Sequence, residues 1–174
     1  AYVPAAGWAN VWIDGGYVMT PQIPGTQTPS ANSVDPAAHL LKSVQAYTGG
    51  VAATANLVFE HGVAYAKMTL NLGEVVAFAN IASVVVEIDA QRYTLLPTDL
   101  AEPTFWFACK ACEPTAMTVT ITDKSDVTYV KELDLVNAAK ALTFENGVVS
   151  TFSVNMNSKD NDEAADTFTA EHMA

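Results

Sequence analysis

Met117-Thr118-Val119-Thr120-Ile121-Thr122, then Asp123-Lys124-Ser125-Asp126, then Val127-Thr128-Tyr129-Val130-Lys131, is the stretch that decides the fold class. Met117, Val119 and Ile121 alternate with three threonines. A strand sends successive side chains to opposite faces, so this period of two predicts a half-buried strand. The four polar residues after it predict a turn, and the next run predicts the returning arm of a hairpin.

The same period spreads outward. From Val63 to Leu72, Ala64, Ala66, Met68, Leu70 and Leu72 share one face, and Tyr65, Lys67, Thr69 and Asn71 the other. Thr54–Phe59 precedes that strand, with a break at Glu60-His61-Gly62. Val84, Val86 and Ile88 alternate with Val85, Glu87 and Asp89. Leu142-Thr143-Phe144 runs into a turn at Asn146-Gly147, and Thr151–Met156 closes the pattern. Near the start, Asn10–Ile13 and Tyr17–Met19 flank Asp14-Gly15-Gly16 and predict another hairpin. The one helical signal is Asp35-Pro36, an N-cap followed by proline at the first helical position, opening a stretch that Gly49-Gly50 ends. Short strands with frequent turns, and strands that do not alternate with helices, predict an all-β, two-sheet sandwich with one short helix at most. The predicted core is Phe59, Met68, Leu70, Val86, Val119, Ile121, Phe152 and Val154. Residues 1–36 are expected to form an N-terminal hairpin and a Pro/Gly-rich loop of the same domain, residues 37–157 the sandwich, and 158–174 an acidic tail or linker.

Composition limits the function classes. The 174 residues carry 8 Lys+Arg and 19 Asp+Glu, a net charge of −11, with 50% hydrophobic and 16% charged residues. That is enough apolar content for a core. No run of about 18 apolar residues offers a membrane span. The acidic balance argues against nucleic acid or anionic lipid as main partner, because both need clustered Lys and Arg. Ala1 opens the sequence where an initiator Met would stand, which is read as a removed or cut preceding segment.

Signals for catalysis are sparse. Gly-x-Ser-x-Gly, the phosphate-loop pattern, Gly-x-Gly-x-x-Gly and His-Glu-x-x-His are all absent. Glu60 and His61 are adjacent, so a strand would point them to opposite faces. Asp99 and Glu102 are a carboxylate pair whose separation sequence does not set. Asp160-x-Asp162 resembles the start of a calcium loop, with Ala165 where the turn glycine belongs. No cofactor is expected. Cys109 and Cys112 form a lone C-x-x-C. Zinc would want a second ligand pair, and His39, His61 and His172 are scattered singly. Pro114 and a following strand fit poorly with a helix-opening redox motif, so a redox pair, a local disulfide and two plain thiols stay open. In Phe105-Trp106-Phe107 alternate residues face opposite ways. Core packing is the first reading of these aromatics, and Trp106 is the candidate ligand-contact residue.

Three segments together resemble a family. Ala55–Met68 is similar to the "L-x-F-x-H-x-(L/V)-A-K-(V/I)" strand pair of the fimbrillin-like proteins of Bacteroidales. Leu40-Leu41-Lys42-Ser43 stands where that family often carries "D-L-(L/M)". Ala141–Met156 is similar to its closing "L-x-(L/F)-x-x-G-K-V-x-(T/S)-(F/L)-x-V". The chain departs at Val148, where Lys is common, and at Lys67-Met68, where a β-branched residue is usual. The resemblance implies transthyretin-like, Greek-key sandwich domains, usually two per full-length member. It implies export as lipoproteins to the outer-membrane cell surface. Many such proteins are type V pilus subunits, in which a protease removes the N-terminal strand and a neighbour's strand fills the vacant groove. Others are anchors or tip adhesins. The lipid-bearing cysteine and cleavage arginine would precede Ala1, and Arg92, the sole arginine, lies inside the pattern between strands. The expected function is therefore a non-catalytic, extracellular fimbria subunit or surface adhesin for cell adhesion. Its partners would be other pilus subunits and a host protein or glycan, with no nucleic acid, and membrane contact only through a lipid anchor on a precursor segment. The rival expectation is a carbohydrate-binding surface module using exposed aromatics.

Overall fold

The computed structural model describes residues 8–13, 16–42, 59–136, 142–157 and 168–172. In chain order the strands are β1 (Trp8–Ile13), β2 (Gly16–Pro21), β3 (Thr26–Gln27), β4 (Leu41–Lys42), β5 (Glu60–His61), β6 (Ala64–Asn71), β7 (Ile81–Ile88), β8 (Gln91–Leu95), β9 (Thr104–Cys109), β10 (Ala116–Asp123), β11 (Thr128–Asp134), β12 (Val148–Asn155) and β13 (Phe168–His172). The expected all-β class is the observed one. Five strands form one sheet in the order β11-β10-β7-β8-β3, four form another in the order β13-β12-β6-β9, and β1-β2 and β4-β5 are separate pairs.

One apolar cluster joins the two larger sheets into a sandwich. The five-stranded sheet contributes Val84, Val86, Ile88, Tyr93, Leu95, Met117, Val119, Ile121 and Leu133; the four-stranded sheet contributes Ala64, Ala66, Met68, Leu70, Phe105, Phe107, Phe152 and Val154. The pairing register explains the fit. Val119 lies opposite Val86 and Ile121 opposite Val84, so β-branched side chains meet across the ladder. In the facing sheet Ala66 lies opposite Phe107, a small residue making room for a ring. A bulge adjusts the end of β7. The register steps from Thr122↔Ser83 to Asp123↔Ile81 and leaves Ala82 without an opposite residue, so Ile81 and Val84, three apart, are both buried.

Turn chemistry follows the residues. The Asp123 carboxylate accepts the N–H groups of Ser125 and Val127 at 2.8 and 3.0 Å, and Asp126 takes φ +62° to close the β10–β11 hairpin. Gly147, φ +77°, turns the chain into β12. Asp35 caps as expected, accepting Ala37 N–H, but the helix is a single 3-10 turn, Pro36–Ala38. The chain then extends, because Leu41–Lys42 pairs with Glu60–His61. A second 3-10 turn spans Phe78–Asn80.

Other expectations need correcting. Phe59 is not core; it is 58% exposed, just before β5. The break expected at Glu60-His61 is a short strand, and Arg92 lies within β8, paired to Glu87 at 2.6 Å, rather than between strands. Two pairings are parallel, β6 with β12 and β3 with β8. Phe168–His172, within the segment read as a tail, pairs with β12 over five residues. The β1–β2 hairpin is present with Ile13 opposite Gly16. Its turn residues Asp14 and Gly15, the run Thr54–Val58, Gly49-Gly50 and the Asp160–Ala165 loop lie outside the described residues.

Candidate functional site: a polar sheet face and its edges

The four-stranded sheet turns its second face away from the shared core, and that face has two halves. At one end a second apolar cluster of Val34, Ala38, Leu40, Val63, Tyr65, Ala108 and Val149 covers it. Residues 34–42 form this cover, a strap across the sheet. Gly62 N–H donates to the Leu40 carbonyl at 2.8 Å and secures its end. The alternation of β6 places Tyr65 on the expected polar face, and the strap makes it fully buried.

The other half is polar and half-exposed. Register brings Lys67 between Thr151 and Trp106, and Thr69 between Ser153 and Thr104. Thr69 and Thr104 hydroxyls are 3.1 Å apart. A cavity of about 340 Å³ opens beside this face, lined by Asn32, Lys67, Glu102 and Thr104 among others. Trp106 is half-buried there. Its ring carries the Lys67 ammonium 5.3 Å from the centroid, one flank packs on the second apolar cluster, and its indole N–H is buried without a hydrogen-bond acceptor. The ring face is therefore occupied by a cation–π contact rather than bare. Phe105 and Phe107 are core. The side chains of Trp8 and Trp12 lie outside the described residues.

The edges are the other candidate contact features, because an edge strand presents unpaired N–H and C=O groups. At β9 a side chain stands in for a neighbouring strand. Gln27, fully buried, donates from Nε2 to the Ala108 carbonyl at 2.8 Å and accepts Ala108 N–H on Oε1 at 2.9 Å. Glu102 carbonyl accepts Thr104 N–H at 2.7 Å, and Gln91 Oε1 accepts Lys110 N–H at 3.0 Å, so the edge is closed near both ends. On β11, the terminal strand of the other sheet, Lys131 points inward and is buried opposite Val119, while Val130 is 59% exposed. An inward charge is a common device against edge-to-edge pairing. Nothing in local sequence marks Gln27; its role exists only because β3 meets β9 in space.

The cysteines are two free thiols. Cys109 ends β9 in the core, and Cys112 is bridged to Phe144 by paired backbone bonds of 2.9 Å. Burial, then the neighbouring Cys112, pushes the Cys109 thiol well up. Burial also raises Cys112, against a hydrogen bond from Gln91 Nε2 at 3.3 Å and with a further push from Asp89. Both effects disfavour the thiolate, the reactive form. Two histidines that sequence scatters singly come together: His39 and His61 stack at 5.6 Å, and His61 Nδ1 is 2.9 Å from the Tyr65 hydroxyl. Among the described residues no three His, Cys, Asp or Glu side chains group as a metal site, and no helix is long and apolar enough to cross a membrane. Of the carboxylate pair, Glu102 lines the cavity beside Lys67 and Asp99 does not.

No family model matches the chain, and no curated protein sequence matches it. Among solved structures, a candidate cell adhesion protein from Bacteroides ovatus ATCC 8483 aligns with TM-score 0.46 and 12% identity, covering 68% of this chain and 48% of its own. A second candidate cell adhesion protein, from Bacteroides uniformis ATCC 8492, aligns with TM-score 0.40 and 14% identity, covering 67% and 52%. The chain spans about half the length of each of these neighbours.

Proposed function

We propose that this chain is a non-catalytic, extracellular adhesion subunit of the fimbrillin-like kind, displayed at a bacterial surface and joined to its neighbours by strand complementation. The observation that carries the reading is the position of β13. This terminal strand of the four-stranded sheet comes from the far end of the chain, separated from β12 by residues 156–167, and it pairs antiparallel with β12 from Phe152↔Phe168 to Val148↔His172. A strand on a long connection makes the same main-chain bonds whether it closes its own sheet or a neighbour's. Exchange then changes connectivity without changing the contacts. The buried Gln27 seal on β9 and the inward Lys131 on β11 support the reading by discouraging pairing at those two edges.

The test is an unheated denaturing gel of concentrated purified chain and of surface material from the native cells. A ladder at multiples of the subunit mass that collapses on boiling is expected. Successive residues of a strand point their N–H groups to opposite sides, so Thr169→Pro with Ala170→Pro must remove one β12 bond and should abolish the ladder. A single monomer band from both sources would overturn strand exchange.

The polar face supports a second reading, carbohydrate recognition by Asn32, Lys67, Glu102 and Thr104 beside Trp106. Such sites combine an apolar wall with a few placed polar groups. Quenching of tryptophan fluorescence by a neutral oligosaccharide panel, lost in Trp106→Phe, would favour it; an unchanged spectrum up to millimolar sugar would remove it.

A further inference from the structure

We propose that the stacked His39–His61 pair, closed on the buried Tyr65 hydroxyl, is a pH-sensitive latch that holds the strap of residues 34–42 on the sheet, so that acidification releases the strap and bares Tyr65, Ala108 and Val149.

The geometry is a three-ring cluster. His39 and His61 lie nearly parallel, 24° apart, and each meets Tyr65 edge-on at 5.7 and 5.3 Å. His39 belongs to the strap, directly between buried Ala38 and Leu40. His61 belongs to β5, which pairs with Leu41 at the strap's end. Tyr65 lies in β6 beneath both. The cluster therefore ties the covering segment to a sheet strand.

Its chemistry works in one protonation state. His61 Nδ1 lies 2.9 Å from the Tyr65 hydroxyl, and in the neutral tautomer that carries its proton on Nε2 it accepts the hydroxyl's hydrogen bond. Protonated Nδ1 can only donate, which leaves the buried hydroxyl proton without its acceptor. Protonation of both rings also sets two like charges 5.6 Å apart. Burial, then His39, holds the His61 imidazole below the ordinary value, as this arrangement requires. Burial pushes the Tyr65 hydroxyl up to about 12, so it stays a donor throughout.

Surrounding charges do not cancel the effect. Lys42 and Glu60 face each other across β4 and β5, and Lys42 and Lys110 line the cavity at Gly62. Asp35 is engaged by the Thr28 and Ala37 N–H groups. Glu145 is exposed before Gly147, and Glu171 and His172 occupy the β13 positions opposite Val149 and Val148. Among the described residues neither imidazole forms an ion pair.

The sign is fixed by linkage. The folded chain binds fewer protons than the unfolded one at a depressed histidine, so the latch's contribution is complete above the unfolded pKa of about 6.5 and is lost as pH falls. The test is amide hydrogen exchange of the full chain by NMR at pH 7.5 and 5.0, corrected for intrinsic rates. Gly62 N–H, bonded to Leu40, reports the strap; Val119 N–H reports the core. Protection at Gly62 should fall at least tenfold at pH 5.0 while Val119 holds. His39→Asn should keep the Gly62 loss below threefold, and His172→Asn should leave it as in the parent chain. Equal changes at Gly62 and Val119, an unaltered loss in His39→Asn, or its removal by His172→Asn would each overturn the latch.

Discussion

Replacing Gln27 tests whether a side chain seals the edge of β9. The amide holds both polar groups of the Ala108 peptide, at 2.8 and 2.9 Å, and both residues are fully buried. In Gln27→Leu those groups lose their partners. A buried unpaired N–H or C=O costs about 1–3 kcal/mol, so the pair costs about 2–6 kcal/mol. Burying a leucine side chain offsets about 1.5–3 kcal/mol of that, leaving a net loss of about 2 kcal/mol. Gln27→Glu is the sharper variant. When protonated, its carboxyl can still donate to the carbonyl and accept the N–H; when ionised, it sets a buried charge against the Ala108 oxygen. Its folded pKa is therefore raised above the unfolded value of about 4.3. The folded state binds more protons, so this variant matches its parent best below about pH 4.3 and loses stability as pH rises through the folded pKa. Urea unfolding of parent and variant from pH 4 to 8 reads the difference, expected to be small at pH 4 and at least about 3 kcal/mol at pH 8. A Gln27→Leu loss under about 0.5 kcal/mol, or a flat Gln27→Glu difference, would refute the seal.

Three further outcomes follow from the packing. Phe105→Ala should cost about 3–5 kcal/mol by chemical denaturation, whereas Thr120→Ala on the outward face of β10 should stay within about 0.5 kcal/mol. Gly147→Ala should cost about 1–2 kcal/mol, because φ is +77° and a Cβ would meet the His61 ring at 3.2 Å, whereas Gly25→Ala, with open space around it, serves as the neutral comparison. Burial and the neighbouring thiol keep Cys109 protonated, so iodoacetamide at pH 7 should modify Cys112 slowly and leave Cys109 intact until unfolding, as read by mass spectrometry; prompt labelling of Cys109 in the folded chain would contradict its burial.

Parity along a strand is a local property, and it was legible. Met68, Leu70, Val86, Val119, Ile121, Phe152 and Val154 all reach the core because the pleat ties each residue's face to its position in the chain. The turn at Asp123 was legible because a carboxylate there reaches N–H groups two and four residues on. Phe59 was misplaced because the same periodicity does not say where a sheet ends. Tyr65 reads as outward from β6, and only the strap, far earlier in the chain, makes that face interior.

The sequence by itself therefore determined the element type, the inner face of most strands and the turn residues, since each depends on neighbours within a few positions. Only the tertiary structure decided the parallel pairing of β6 with β12, the arrival of β13 at the sheet, the closure of β9 by Gln27 and the meeting of His39 with His61. A peptide edge offers the same N–H and C=O groups to a strand of either direction or to a side-chain amide. Which partner takes them is settled by the packing of the whole chain.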